Sequence, residues 1–222
     1  HAAVLTGRQG DGWRELRDDL SAWPGIVAAA PYVELEAMLA NGSELAGVVI
    51  EGIDPEHDVA FADQRTAIFG AGLVELRPGS FHALLGGALA LRLGLVTGDR
   101  VRVMVPVRDA DGHLVSRLRE ITVAGVFEIG VRDHDSVRVL LNLADAAQLA
   151  GLGDQVTGVR LQMADIFAAP DILRHWEAHW TAAGGAAFAT TDWTRDNASY
   201  FRAVHIEKVM MTLLLSLIVA VA

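Results

Sequence analysis

Apolar and polar positions change period several times along this chain, and each change marks an element. Ala2 to Thr6 is a short apolar run of strand type, and Trp13, Leu16 and Leu20 then recur at the i, i+3, i+7 spacing of one helix face. Pro24-Gly25 ends that helix, Ile26 to Pro31 reads as a strand, and Val33 to Leu39 with Leu45 to Ile53 flank Asn41-Gly42, a strong short hairpin signal. The same order returns late. Thr157 to Met163 reads as a strand, Pro170 to Thr181 as a helix with Ile172, Leu173, Trp176 and Trp180 on one side, and Ala186 to Thr190 as the strand after Gly184-Gly185.

The middle has a different texture, punctuated by Gly70, Gly72, Pro78-Gly79, Gly86-Gly87, Gly94 and Gly98. A short helix over Ala88 to Leu93 is closed by Gly94 as a left-handed cap residue. Val101, Val103 and Val105 alternate with Arg102, Met104 and Pro106 as a half-exposed strand, and Ile121, Val123 and Gly125-Val-Phe127 supply its partner. Val137 to Leu141 is a further strand, before a helix over Ala144 to Ala150. The fold class this predicts is α+β: two βαβ-like halves, 1–50 and 155–191, form a discontinuous porter-like subdomain around a mainly β insertion, 51–154.

Between the insertion's first two strands lies Val107-Arg-Asp-Ala-Asp-Gly-His-Leu-Val-Ser116, turned by Asp111-Gly112 and giving a hairpin over 106–117. Such a segment fits a solvated tip and equally a protruding grip for a partner.

From Asp192, a residue suited to an N-cap, the chain contains no proline and is predicted to run helical to Ala222, about 45 Å at 1.5 Å per residue. Its last 14 residues, Val209 to Ala222, carry no charge and only Thr212 and Ser216 as polar interruptions. A spanning helix needs about 20 such residues. The expectation is the start of a membrane helix carried on a stalk, and the opening His1-Ala2-Ala3 without methionine or signal peptide reads as that of an excised fragment.

Composition narrows the function classes. With 28 Asp and Glu against 18 Lys and Arg the chain carries a net charge of −10, which argues against a nucleic-acid partner. It has no cysteine, so disulfides and Cys-based zinc sites are excluded. His175 and His179 share a helix face at i, i+4, but Glu177 is misplaced for H-E-x-x-H, and a solvated amphipathic face explains them. Asp133-His-Asp135 has no nucleophile beside it. No G-x-S-x-G, phosphate-binding P-loop or dinucleotide fingerprint is present. We therefore expect no catalytic residues, no cofactor and no metal, with any ATP hydrolysis performed by another chain.

Several stretches together resemble the LolC/LolE permeases of lipoprotein-releasing ABC transporters: Gly25-Ile-Val-Ala-Ala-Ala-Pro31, the Gly52-Ile-Asp-Pro55 turn, Gly86-Gly-Ala-Leu-Ala-Leu-Arg-Leu-Gly-Leu-Val-Thr-Gly-Asp99, and the entry to the apolar tail from Phe201. The resemblance spans nearly the whole chain. It implies a periplasmic domain with a MacB-like core, set between the first two membrane helices of an inner-membrane subunit in a Gram-negative bacterium. The implied partners are a cytoplasmic LolD-like ATPase, a second permease subunit in a homo- or heterodimer, the membrane, a lipoprotein substrate and a LolA-like periplasmic carrier. Val156 to Phe167 looks like the E-type subunit and Glu207-Lys-Val-Met-Met211 like the C-type.

In the C-type family a hook hairpin grips the carrier, starting at a proline after an R-V-M-V strand, with a polar and basic pad at its base. Carried over, the strand is Arg102-Val-Met-Val-Pro106, the hook starts at Pro106, its tip holds Arg108, Asp109, Asp111, Gly112 and His113, and the pad is Arg102, Leu118 and Arg119. The hairpin here is shorter, lacks a second proline and has Leu118 where the pattern is polar. Rival readings are a MacB-like efflux or FtsX-like signalling permease, a zinc hydrolase using His175 and His179, and a purely structural assembly domain.

Overall fold

The structure, a computed structural model, describes residues 2–5, 12–55, 67–70, 72–108, 113–130, 135–185, 188–192 and 211. The protein is α+β. Its described elements are β1 (Ala2–Leu5), α1 (Trp13–Ala22), β2 (Ile26–Asn41), β3 (Glu44–Ile53), β4 (Ala67–Gly70), β5 (His82–Gly86), α2 (Gly87–Leu93), β6 (Arg100–Arg108), β7 (Leu114–Glu128), β8 (Arg138–Asn142), α3 (Leu143–Ala150), β9 (Gly158–Met163), α4 (Ala169–Ala182) and β10 (Ala189–Asp192).

Sequence patterning led to two strands across Pro31; the structure has one, the 16-residue β2. Residues Ile26 to Tyr32 pair with β9 alone, and Val33 to Asn41 pair with β3. Pro31 thus sits where the strand has a partner on one side only, the setting in which a sheet tolerates a residue with no N–H to donate. Thr157 stitches the switch: its N–H donates to Tyr32 O at 3.0 Å and its hydroxyl accepts from Glu34 N at 3.0 Å. The following hairpin pairs Asn41 with Glu44, so its two loop residues are Gly42 and Ser43 rather than Asn41 and Gly42. Gly42 takes a φ of 60°, which glycine adopts without steric cost.

Two packed layers follow from β2. In the first, strands run in the order β10-β1-β9-β2, with β9 antiparallel to both β1 and β2. Leu16 and Leu20 of α1 and Leu173 and Trp176 of α4 are buried against Val4, Val159 and Leu161 of that layer. In the second, β3 pairs with β8, β8 with β5, β5 with β7, β7 with β6, and β6 returns to β2 through Met38↔Met104 and Ala40↔Arg102. Six strands thereby close a ring, and β4 adds to it along β7. Alternate residues such as Leu39, Val48, Ile50, Leu85, Val103, Ile121 and Val139 fill one core, with Leu89 and Leu93 of α2 and Ala146 and Leu149 of α3 packed into it.

Helix α3 starts where the Asn142 side chain accepts from Ala144 N at 3.0 Å and stops at Gly151, φ 73°. The last described strand covers Ala189–Asp192; of the strand expected over 186–190, residues 186 and 187 lie outside the described residues. The long helix expected over 192–222 lies outside the described residues, apart from Asp192 in β10 and the helical, exposed Met211. Among the described residues no helix is long and apolar enough to cross a membrane.

Candidate functional site

The β6/β7 hairpin is held by an unbroken register from Arg100↔Thr122 to Arg108↔Leu114. Its alternation explains it: Val101, Val103, Val105 and Val107 are buried while Arg102, Met104 and Pro106 face out. Strand β2 holds β6 only from Arg102 to Met104. The pairs from Val105↔Arg117 to Arg108↔Leu114 therefore continue past the reach of β2, with Val105 and Val107 still buried in the ring's core on one side. Pro106 lies in that free stretch, where no neighbouring strand needs its missing N–H.

Register decides which pad residues meet. Arg102 stands opposite Glu120, and Leu118 opposite Met104. These four share the outer face, joined through Met38 of β2, which pairs with Met104. Met38, Met104 and Leu118 are 42%, 36% and 66% exposed, so an apolar row crosses three strands beside a charged row of Arg100, Arg102 and Glu120, in which Arg100 Nη1 donates to Glu120 Oε1 at 3.2 Å. Arg119 pairs with Val103 and faces the other way. Its guanidinium lies 4.1 Å over the Phe81 ring. Beside it Arg117 donates from Nη1 to Gln148 O at 3.0 Å, and the two arginines line a hollow of about 200 Å³ with Phe81, Leu118, Gln148 and Leu149.

The hairpin thus separates the three sequence-expected pad positions: Arg102 and Leu118 lie on one face, Arg119 on the opposite one. Of the expected tip, His113 is exposed, Arg108 is described by its backbone pairing alone, and Asp109, Asp111 and Gly112 lie outside the described residues. Glu120, Met104 and Met38 were missed by the sequence reading, and the i, i+2 rule applied from Leu118 would have found Glu120.

Curated relatives align along most of the chain. A lipoprotein-releasing system transmembrane protein LolC of Neisseria meningitidis is 36% identical over 95% of this chain and 50% of its own length. Another LolC, from Xylella fastidiosa, is 34% identical over 89% of this chain and 46% of its own. The chain belongs to the LolC/LolE family.

It spans about half the length of the LolC relatives it matches. No family model matches the chain. Among solved structures, the periplasmic region of MacB from Actinobacillus actinomycetemcomitans aligns with a TM-score of 0.55 at 12% identity, over 91% of this chain and 92% of that one. The extracellular domain of the noncanonic ABC-type transporter YknZ from Gram-positive bacteria aligns at 0.54 and 10% identity, over 86% of this chain and 100% of that one. At such identities the likeness is one of fold.

The remaining sequence candidates of this LolC/LolE member lie apart from the hairpin. His175 Nδ1 is 2.8 Å from Asp171 O, and His179 packs on Trp23 with ring centroids 5.0 Å apart. Among the described residues no group of three or more His, Asp or Glu is arranged to hold a metal. Asp135 is buried and accepts from Ile129 N at 3.0 Å and Gly130 N at 3.3 Å, a loop-shaping role, while Asp133 and His134 lie outside the described residues. A larger hollow, about 580 Å³, is lined by Asp54, Leu73, Val74, Leu76, Arg77 and Asn142 among others.

Proposed function

We propose that this chain is the periplasmic domain of an inner-membrane permease subunit that, with a cytoplasmic ATPase and a second permease subunit, releases outer-membrane lipoproteins to a soluble periplasmic carrier. The observation that carries this reading is the 36% identity to a lipoprotein-releasing system transmembrane protein over 95% of the chain. The MacB and YknZ likenesses support an extracytoplasmic fold but, at 12% and 10% identity, do not favour efflux or signalling over lipoprotein release. The subunit is read as non-catalytic.

Two lobes fit this role. The separate apolar cores support a porter-like layer in which β1-α1-β2 and β9-α4-β10 are the two βαβ-like halves. Because Val33 to Ile50 share their core with the inserted segment, we set the lobe boundary near Tyr32 instead of residue 50. The segment 192–222 is proposed as the stalk and the entry to a membrane helix.

The hairpin's outer face is the proposed carrier contact. Arg102 offers a planar fork for carboxylates or carbonyls, Met38, Met104 and Leu118 offer apolar area, and a ribbon that runs past β2 reaches a partner without rearranging the ring. Arg102→Glu combined with Leu118→Asp is expected to weaken carrier pull-down by about tenfold or more, with little change in thermal midpoint because both side chains are exposed. Undiminished capture by this variant would refute the assignment.

A further inference from the structure

We infer that Arg117 is a positioning residue that, with Arg119, sets the direction in which the β6/β7 hairpin stands off the ring; this rests on the reading of that hairpin as the partner-binding arm. Arg117 pairs with Val105, one step beyond the last β6 residue that β2 holds, and faces away from Arg102 and Leu118. Its Nη1 donates at 3.0 Å to Gln148 O in the last turn of α3, the negative end of that helix, where a cation is favoured. The guanidinium lies against Gly151, where an added Cβ would come within 3.0 Å of Nη1. A glycine at this helix stop therefore supplies both the φ of 73° and the room for the arginine.

Arg119, two residues further on the same face, makes the second attachment through Phe81. Phe81 is itself fixed. It has a φ of 51°, the one positive value found at a non-glycine residue among those described, and its N–H donates at 2.8 Å to the buried carboxylate of Asp145 on α3. Both arginines thus end on α3 or on a residue that α3 pins. Two attachments along one face oppose the free twisting of a two-stranded ribbon. An arm that spends only a fraction of its time in the binding direction loses affinity by that fraction.

The chain has no cysteine, so Ser116→Cys and Ala144→Cys, both at exposed positions, place spin labels on the arm and on α3. One narrow distance distribution is expected from the otherwise unaltered chain. Arg117→Ala with Arg119→Ala should broaden it, and Arg117→Lys, which keeps a donor, should broaden it less. In unlabelled chains the same double variant should weaken binding of a LolA-type carrier by about threefold to tenfold. An unchanged distribution in the double variant overturns the brace, and a broadened one with undiminished carrier affinity overturns its positioning role. Absence of carrier binding by the unaltered chain instead overturns the arm reading, and the distance measurement then judges the brace alone.

Discussion

The carboxylate of Glu51 is 1% exposed and accepts from Arg138 Nη1 at 3.0 Å and from Arg160 Nη2. Arg138 comes from β8 of the ring and Arg160 from β9 of the four-stranded layer, so one buried anion ties the two layers together. Glu51→Gln keeps the shape and removes the charge, leaving two guanidinium groups without their shared counter-charge. Breaking a fully buried pair costs about 3–5 kcal/mol. Here the arginine side chains retain 29% and 22% exposure, and water screens part of the loss, so we expect about 2–4 kcal/mol. For a domain of this size that is a fall in thermal midpoint of roughly 5–15 °C, followed by far-ultraviolet circular dichroism. An apolar triple variant, Glu51→Leu with Arg138→Met and Arg160→Met, should recover much of the loss, because it removes the stranded charges along with the anion. A midpoint for Glu51→Gln within about 2 °C of the parent would refute the reasoning, since a desolvated charge network cannot lose its anion so cheaply.

Gly52→Ala should destabilise by about 1–3 kcal/mol in denaturant titration, because the new Cβ would overlap Ala146 Cβ and lie 3.3 Å from Leu143 Cα where α3 packs on β3, whereas Gly47→Ala on the same strand meets nothing within 4 Å and should be close to neutral. Asp154 is held below the usual carboxylate range by its hydrogen bonds from Arg14, at 2.6 and 2.7 Å, so the stability that pair adds is present above the unfolded-state pKa of about 3.9 and is lost as pH falls through the lower folded value. The difference in melting midpoint between the parent and Asp154→Asn should accordingly be small at neutral pH, where the exposed pair is screened, and should vanish on acidification; a difference that grows in acid would contradict it.

Elements whose evidence is local were legible in the sequence. The spacing of Trp13, Leu16 and Leu20 located α1, and all three are buried. Gly94 closes α2 at a φ of 62°, as a left-handed cap residue should. What local pattern lacks is knowledge of which strand lies beside which. Reading one strand to Pro31 and another from Val33 follows the local pattern, and only the tertiary pairing with β9 alone lets the strand run through. The return of β6 to β2, which closes the ring and joins Val33 to Ile50 to the inserted segment's core, connects residues about sixty positions apart and leaves no local trace. Glu51 shows the same limit, because a carboxylate in a run of otherwise apolar strand residues gives no sign of the two arginines, from β8 and β9, that satisfy it.

The pad shows how strand geometry distributes residues that a family pattern transfers one by one. Leu118 and Arg119 are adjacent in the chain, and a strand sends adjacent side chains to opposite faces, so no register could place both beside Arg102. The choice between them is made by the β6/β7 pairing, which puts Glu120 opposite Arg102 and Arg119 opposite Val103. The basic character expected at the base of the arm is thereby divided: Arg100, Arg102 and Glu120 stand on the outer face, with Arg100 bonded to Glu120 at 3.2 Å, and Arg119 lies over Phe81 on the opposite face. A carrier that docks there, as proposed, would meet Glu120 already bonded to Arg100, with Arg102 as one cation in excess, next to an apolar row, so apolar burial should set its affinity and electrostatic steering should contribute less than a pad of arginines without an acid would. Raising the ionic strength should then slow carrier association only modestly.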